Sequence, residues 1–196
     1  YTSGPFPYGY KGLGEIMVIL IFGPVTILGA LFLFEIKYNL IILLISLICG
    51  LSTSTIILTN NIRDLKNDYT NNKITLAVKL GEKKSRILYL LIISLISLLL
   101  LILSLENLNN LILSFLVWFT FPISDFGIKK FSFKLNFSKF GKDLNNTLYR
   151  TALSHLLLCI SLAISIAYPS VAIASYSIVI INLSYITINK LRQWKN

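Results

Sequence analysis

Between Asn60 and Gly81 the chain reads NNIRDLKNDYTNNKITLAVKLG, and this stretch concentrates the residues that could do chemistry. Asp64 and Asp68 stand at i and i+4, which places both carboxylates on one face if a helix runs through them. Left alone, two such anions repel mildly. A divalent cation reverses the sign: Mg²⁺ is a hard ion held by one or two carboxylates together with waters and the oxygens of a substrate phosphate. Arg63 can fork onto phosphate oxygens, Lys73 can supply a point charge, and Asn60 and Asn61 can hydrogen-bond to ion or ligand. The competing reading is structural, with Asp64 paired to Arg63 or Lys66 and Asp68 to Lys73 in a solvated charged loop.

The elements that must position this stretch are hydrophobic. In 196 residues, 55% are hydrophobic and only 13% charged, with a mean hydropathy of +0.76. That apolar content exceeds what one soluble core buries, so the solvent for most of the chain is lipid. About 20 apolar residues at about 1.5 Å rise cross the hydrocarbon layer. Six runs approach that length: Ile16–Phe34, Leu40–Leu58, Ile87–Leu105, Leu111–Ser124, Thr151–Tyr168 and Ser170–Ile188. Backbone polar groups find no water there, so the expectation is an all-α, multi-pass transmembrane helical bundle forming one domain over residues 1–196.

Charge placement orients the bundle. The net charge of +10 would suit a nucleic-acid partner in a soluble protein. Here, six spans put every Lys and Arg except Lys37 on one side, the positive-inside pattern. The loops at 1–15, 60–86 and 125–150 are thus expected on the cytoplasmic side of a cell membrane. Lys129–Lys142 alternates cations with Phe131, Phe133, Phe137 and Phe140, which between two spans reads as an interfacial loop against lipid headgroups, not a nucleic-acid patch.

Other features have plainer readings. Gly23-Pro24 and Gly29 predict a break in the first span, with packing around small residues. The second span ends in Gly50, Ser52, Thr53, Ser54, Thr55 and Thr59, which permit close helix packing and bonds across helices. His155 is expected to be a hydrogen-bonded structural residue. Cys49 and Cys159 fall in apolar runs, with no spacing that suggests a disulfide or a metal cluster.

The pattern Asn60-Asn61-x-Arg63-Asp64-x-x-x-Asp68, followed by Lys73-x-Thr75-Leu76-Ala77-Val78-x-x-Gly81, resembles the second aspartate-rich motif of the UbiA superfamily of intramembrane prenyltransferases. More narrowly, it is similar to that of the 1,4-dihydroxy-2-naphthoate polyprenyltransferases. Tyr1-Thr2-x-Gly4-Pro5 with Gly9-Tyr10-x-Gly12-Leu13-Gly14-Glu15 resembles the same family's loop ahead of its fifth span. An earlier Asn-Asp-x-x-Asp-x-x-x-Asp motif of the family has no match, which implies a piece covering roughly the second half of such an enzyme. Asn72 stands where relatives often carry Gly, and Ser170–Ile188 is one span more than the family leads one to expect.

The resemblance implies transfer of a polyprenyl group from polyprenyl diphosphate to 1,4-dihydroxy-2-naphthoate with loss of its carboxylate, giving demethylmenaquinone. Asp64 and Asp68 would then be ligands of Mg²⁺, with Asn60, Asn61, Arg63 and Lys73 on the diphosphate and Arg63 and Lys73 assisting its departure. The partners implied are those two substrates, membrane lipid and the missing N-terminal part of the same bundle. Another aromatic acceptor, 4-hydroxybenzoate or homogentisate, would keep the mechanism. A transport subunit is the rival of a different class, and it predicts ionisable residues near the midplane, whereas here they crowd the edges.

Overall fold

The computed structural model describes residues 7–106, 120–126 and 141–167. Its α-helices are α1 (Gly14–Leu33), α2 (Leu40–Arg63), α3 (Leu65–Thr70), α4 (Leu76–Glu106) and α5 (Asn145–Ala167), with short 3₁₀ turns at Tyr8–Lys11, Ile123–Phe126 and Gly141–Leu144. Among the described residues there is no strand. Four of these helices are long and apolar enough to cross a membrane. They answer to four of the six expected spans; Leu111–Ser124 mostly, and Ser170–Ile188 entirely, lie outside the described residues, as does most of Lys129–Lys142.

Each helix extends past its apolar run. Residues 60–86, expected as a loop, are mostly helical, broken at Asp64, over residues 71–75 and by a kink at Gly81 (φ 74°, ψ 166°), because helical hydrogen bonding resumes beyond the end of the hydrophobic stretch. The Asn39 side chain caps α2 by accepting from the Ile42 amide at 2.9 Å. Thr75 begins α4 in the same way, its hydroxyl oxygen accepting from the Val78 amide.

α2 is the central post, with α1, α4 and α5 packed round it. Ile48 and Leu58 of α2, Tyr89, Ile93 and Ile96 of α4, and Leu158 and Leu162 of α5 are fully or almost fully buried there. Large apolar side chains also cover the outer faces, Phe32, Leu33, Leu91 and Leu156 among them, as suits a bundle whose solvent is lipid.

The expected break in the first span is one wide π turn, Ile21–Val25, around Pro24, which has no amide proton for the Leu20 carbonyl. Thr26 donates its hydroxyl to the Ile21 carbonyl at 2.6 Å. Small residues set the contact with α2. A Cβ on Gly23 would sit 2.6 Å from the Ser46 carbonyl oxygen, and one on Gly50 would run into the Ile19 carbonyl. The hydroxyls of α2 mostly do not bond across helices: Ser46, Ser54, Thr55 and Thr59 each donate to a carbonyl of their own helix. Ser52 also reaches His155 of α5, at 2.8 Å, which gives that histidine the structural partner expected of it.

Candidate functional site

The polar site is built where α2 leaves the apolar layer. At Asp64 the backbone departs from α geometry (φ −93°, ψ 6°), and α3 follows at once. Helical bonding nevertheless runs through the joint: the Asp64 amide donates to Asn60 and the Asp68 amide to Asp64. Asp64 and Asp68 thus keep their one-turn spacing.

Each carboxylate holds its own cation. Arg63 donates from Nε to Asp64 Oδ1 at 2.8 Å and from Nη2 to Oδ2 at 2.7 Å, a two-pronged grip, and Nη2 also reaches Asn60 Oδ1. A second prong, Nη1, reaches Asn145 at the start of α5. Lys73 Nζ bonds both oxygens of Asp68, at 3.1 and 3.2 Å, and Asp68 is almost wholly buried. The chain returns Lys73 to Asp68 through Asn72, whose φ of +55° is left-handed. Glycine adopts that conformation freely and asparagine tolerates it, which reconciles Asn72 with a position where relatives often have Gly.

With side chains 24% and 32% exposed, the Arg63–Asp64 pair contributes at most about 1 kcal/mol and opens readily. A diphosphate carries more charge than a single carboxylate, so Arg63 gains by turning to it. Lys73 is held more firmly, because its departure would leave the nearly buried Asp68 uncompensated. Hydrogen bonding from Arg63 holds the Asp64 carboxyl below the usual carboxylate range, which keeps it an anion near neutral pH. Asp64, Arg63, Lys66, Asn67, Glu82 and Lys142 border a hollow of about 590 Å³ at this mouth.

The two stretches set apart by the sequence are strapped together. Asn61, 2% exposed, donates its amide to Glu15 Oε1 at 2.9 Å across 46 residues of sequence. Lys79 Nζ donates to the Lys11 carbonyl at 2.6 Å and lies over Gly12, itself left-handed at φ +69°. Asn61 is therefore turned into the joint between α1 and α2, while Arg63 and Asp64 border the hollow and Asn60, Asp68 and Lys73 lie beside it without lining it.

As a cation site, this donor set is partial. Two carboxylates one turn apart are hard oxygen ligands of the kind Mg²⁺ takes, and among the described residues no third His, Cys, Asp or Glu joins them. The pair fits an ion that completes its shell with phosphate oxygens and water, and it does not make a closed cage.

Residues 1–126 match the model of the UbiA prenyltransferase family, well over half of the chain. The chain belongs to that family. Among curated relatives of this UbiA chain, the 1,4-dihydroxy-2-naphthoate octaprenyltransferase of Mycobacterium tuberculosis is 39% identical over 89 residues, covering 45% of this chain and 30% of the relative. That of Escherichia coli is 40% identical over 86 residues, covering 44% and 28%. The 2-carboxy-1,4-naphthoquinone phytyltransferase of Synechocystis is 32% identical over 96 residues, covering 48% and 31%. The match thus spans about a third of the length of these curated relatives. No solved structure matches it.

Two features of this UbiA chain escaped the sequence reading. Glu15 was quoted only as the end of a motif, yet it is 3% exposed and holds Asn61 in place. Arg86, counted only as loop charge, is fully buried. It donates to Glu82 at 2.7 Å and to the Asp125 carbonyl at 3.3 Å, and lies over the Phe126 ring, itself stacked on Tyr89. Asp125 in turn accepts from Thr147 at 2.8 Å and Arg150 at 3.2 Å of α5. The available signal was a lone Arg abutting an apolar run and a lone Asp following another, both costly in such places without a partner.

Proposed function

We propose that this chain carries diphosphate-gripping residues of a prenyltransferase that moves a polyprenyl group from polyprenyl diphosphate to 1,4-dihydroxy-2-naphthoate, with decarboxylation, to give demethylmenaquinone. The carrying observation is the mouth itself: Asp64 and Asp68 one turn apart, each with its own cation, where an apolar helix long enough to cross a membrane ends. The acceptor is supported by the naphthoate prenyltransferases among the relatives.

In this reading Asp64 and Asp68 hold Mg²⁺, which would supply positive charge to the departing diphosphate. Arg63 releases one prong from Asp64 and forks onto a phosphate oxygen. Lys73 pivots from Asp68 to the same group. Both cations then stabilise charge that grows as the allylic carbon–oxygen bond breaks, which is where binding energy accelerates a reaction. Asn60 steadies the Arg63 guanidinium through Nη2, and Asn61, locked to Glu15, fixes the end of α2. The isoprenoid tail lies among the apolar helices. The basic mouth faces the cytoplasm and the bundle sits in the cell membrane, as the distribution of Lys and Arg argues.

Prenyl transfer by the native membrane protein tests this. Asp64→Asn and Asp68→Asn should each lower kcat roughly a hundredfold to a thousandfold, as loss of a charge-stabilising group does. Near-normal transfer by either variant overturns the assignment.

A further inference from the structure

Away from the mouth, Cys49 of α2 and Cys159 of α5 are 110 residues apart in sequence, and their sulfurs lie 3.9 Å apart. Sequence spacing gave no sign of this. They are the chain's only two cysteines. A disulfide needs the sulfurs at about 2.05 Å, so about 2 Å of approach would join them.

A base stands beside them. Ser52 has one hydroxyl proton, and it donates this to the Cys49 carbonyl at 2.9 Å. Its contact with His155 Nδ1 at 2.8 Å must then run the other way, with Nδ1–H as donor. That leaves the lone pair on Nε2 of His155, and Cys159 Sγ lies 3.7 Å from Nδ1 and 3.8 Å from Nε2. The thiolate is the reactive form of cysteine, and here a base stands within reach of one thiol. Both sulfurs also face an apolar hollow of about 300 Å³, bordered by Ile27, Leu31, Leu162 and Ile166. Such a hollow admits an oxidant that dissolves in lipid and disfavours a charged one.

We infer that Cys49 and Cys159 are a redox-active dithiol, oxidised by a membrane-dissolved quinone to a disulfide that ties α2 to α5. The step balances: two S–H bonds break, one S–S bond forms, and two electrons and two protons reduce the quinone to its hydroquinone. The Cys159 proton leaves by way of His155 Nε2, and the thiolate reacts first. A thiol reductant reverses the reaction. This inference is independent of prenyl transfer.

The test uses the native protein in its own membranes, with decylbenzoquinone as oxidant and maleimide labelling after denaturation. The expected result is loss of both labelled thiols, their recovery with dithiothreitol, and a peptide pair joined through Cys49 and Cys159 by mass spectrometry. His155→Gln should slow the loss at least tenfold, while both thiols still label fully in the reduced protein. Should the quinone leave both thiols free while diamide closes the bond, or should the bridges form only between molecules, the inference is overturned. An unchanged rate in His155→Gln overturns the role given to the base.

Discussion

Two ionic clusters sit near the same polar edge of the bundle, and they are built for different ends. At the mouth, the partners are neighbours in sequence, Arg63 with Asp64 and Lys73 with Asp68, and both cations are partly exposed. The second cluster joins Arg86 of α4 to the Asp125 turn and Asp125 to α5, with the Arg86 side chain fully buried. The partly exposed Arg63–Asp64 pair costs little to open, while Lys73 neutralises a nearly buried Asp68. Arg86 pairs within its own helix with a partly exposed Glu82, and its long-range bond, to the Asp125 carbonyl, ties α4 to the turn that Thr147 and Arg150 hold to α5. The first cluster is thus suited to trade partners with a ligand, the second to hold the wall that it works against.

Substitutions should separate the two. The largest loss of stability is expected from Arg86→Ala, which empties a fully buried site and strips the Asp125 carbonyl of its donor: about 2–5 kcal/mol, read as a fall in Tm of the detergent-solubilised protein. Arg63→Gln should instead leave Tm within a few degrees while prenyl transfer falls, so a large Tm loss there would erase the distinction between the clusters. Next comes Gly50→Ala, whose methyl meets the Ile19 carbonyl and must push α1 off α2. Its expected cost is about 1–3 kcal/mol, measured in the same way.

How much of this was legible in the sequence follows from what each signal measures. Hydropathy reads the apolar run, so Ile87–Leu105 was found while the helical segment from Leu76, joined to it through a break at the left-handed Gly81, was not. The Gly23-Pro24 break and the left-handed Asn72 were legible in outline, because both depend on local backbone chemistry. The mouth residues were legible as a group because they are close in sequence. Whether the two Asp hold a metal or pair with neighbouring cations was open between two readings, and the structure shows the pairs of the structural reading, Asp64 with Arg63 and Asp68 with Lys73. Pairings such as Glu15 with Asn61, Arg86 with Asp125 and Cys49 with Cys159 depend on how helices meet, and no local pattern encodes that.

A smaller effect sharpens the comparison through pH. Arg63 depresses the folded-state carboxyl of Asp64 below its unfolded value, so the stability it contributes is present above about pH 4 and is lost as pH falls through the lower, folded value. Unfolding followed from pH 6 to pH 3 should show wild type losing its advantage over Asp64→Asn only in the acid part of that range. The smallest effect belongs to Asn72. Asn72→Gly should be close to neutral and Asn72→Ala should cost about 1 kcal/mol, as checked by urea denaturation.

The central claim is that the Asp64–Asp68 face acts on diphosphate only through a shared Mg²⁺. Its most direct test is equilibrium binding of a non-hydrolysable polyprenyl thiodiphosphate to the native protein, with and without Mg²⁺, in wild type and Asp68→Asn. The account predicts that chelation and substitution each weaken Kd by about tenfold to a hundredfold, and that together they do no more than either alone. Additive losses, or affinity indifferent to Mg²⁺ in the wild type, would contradict it.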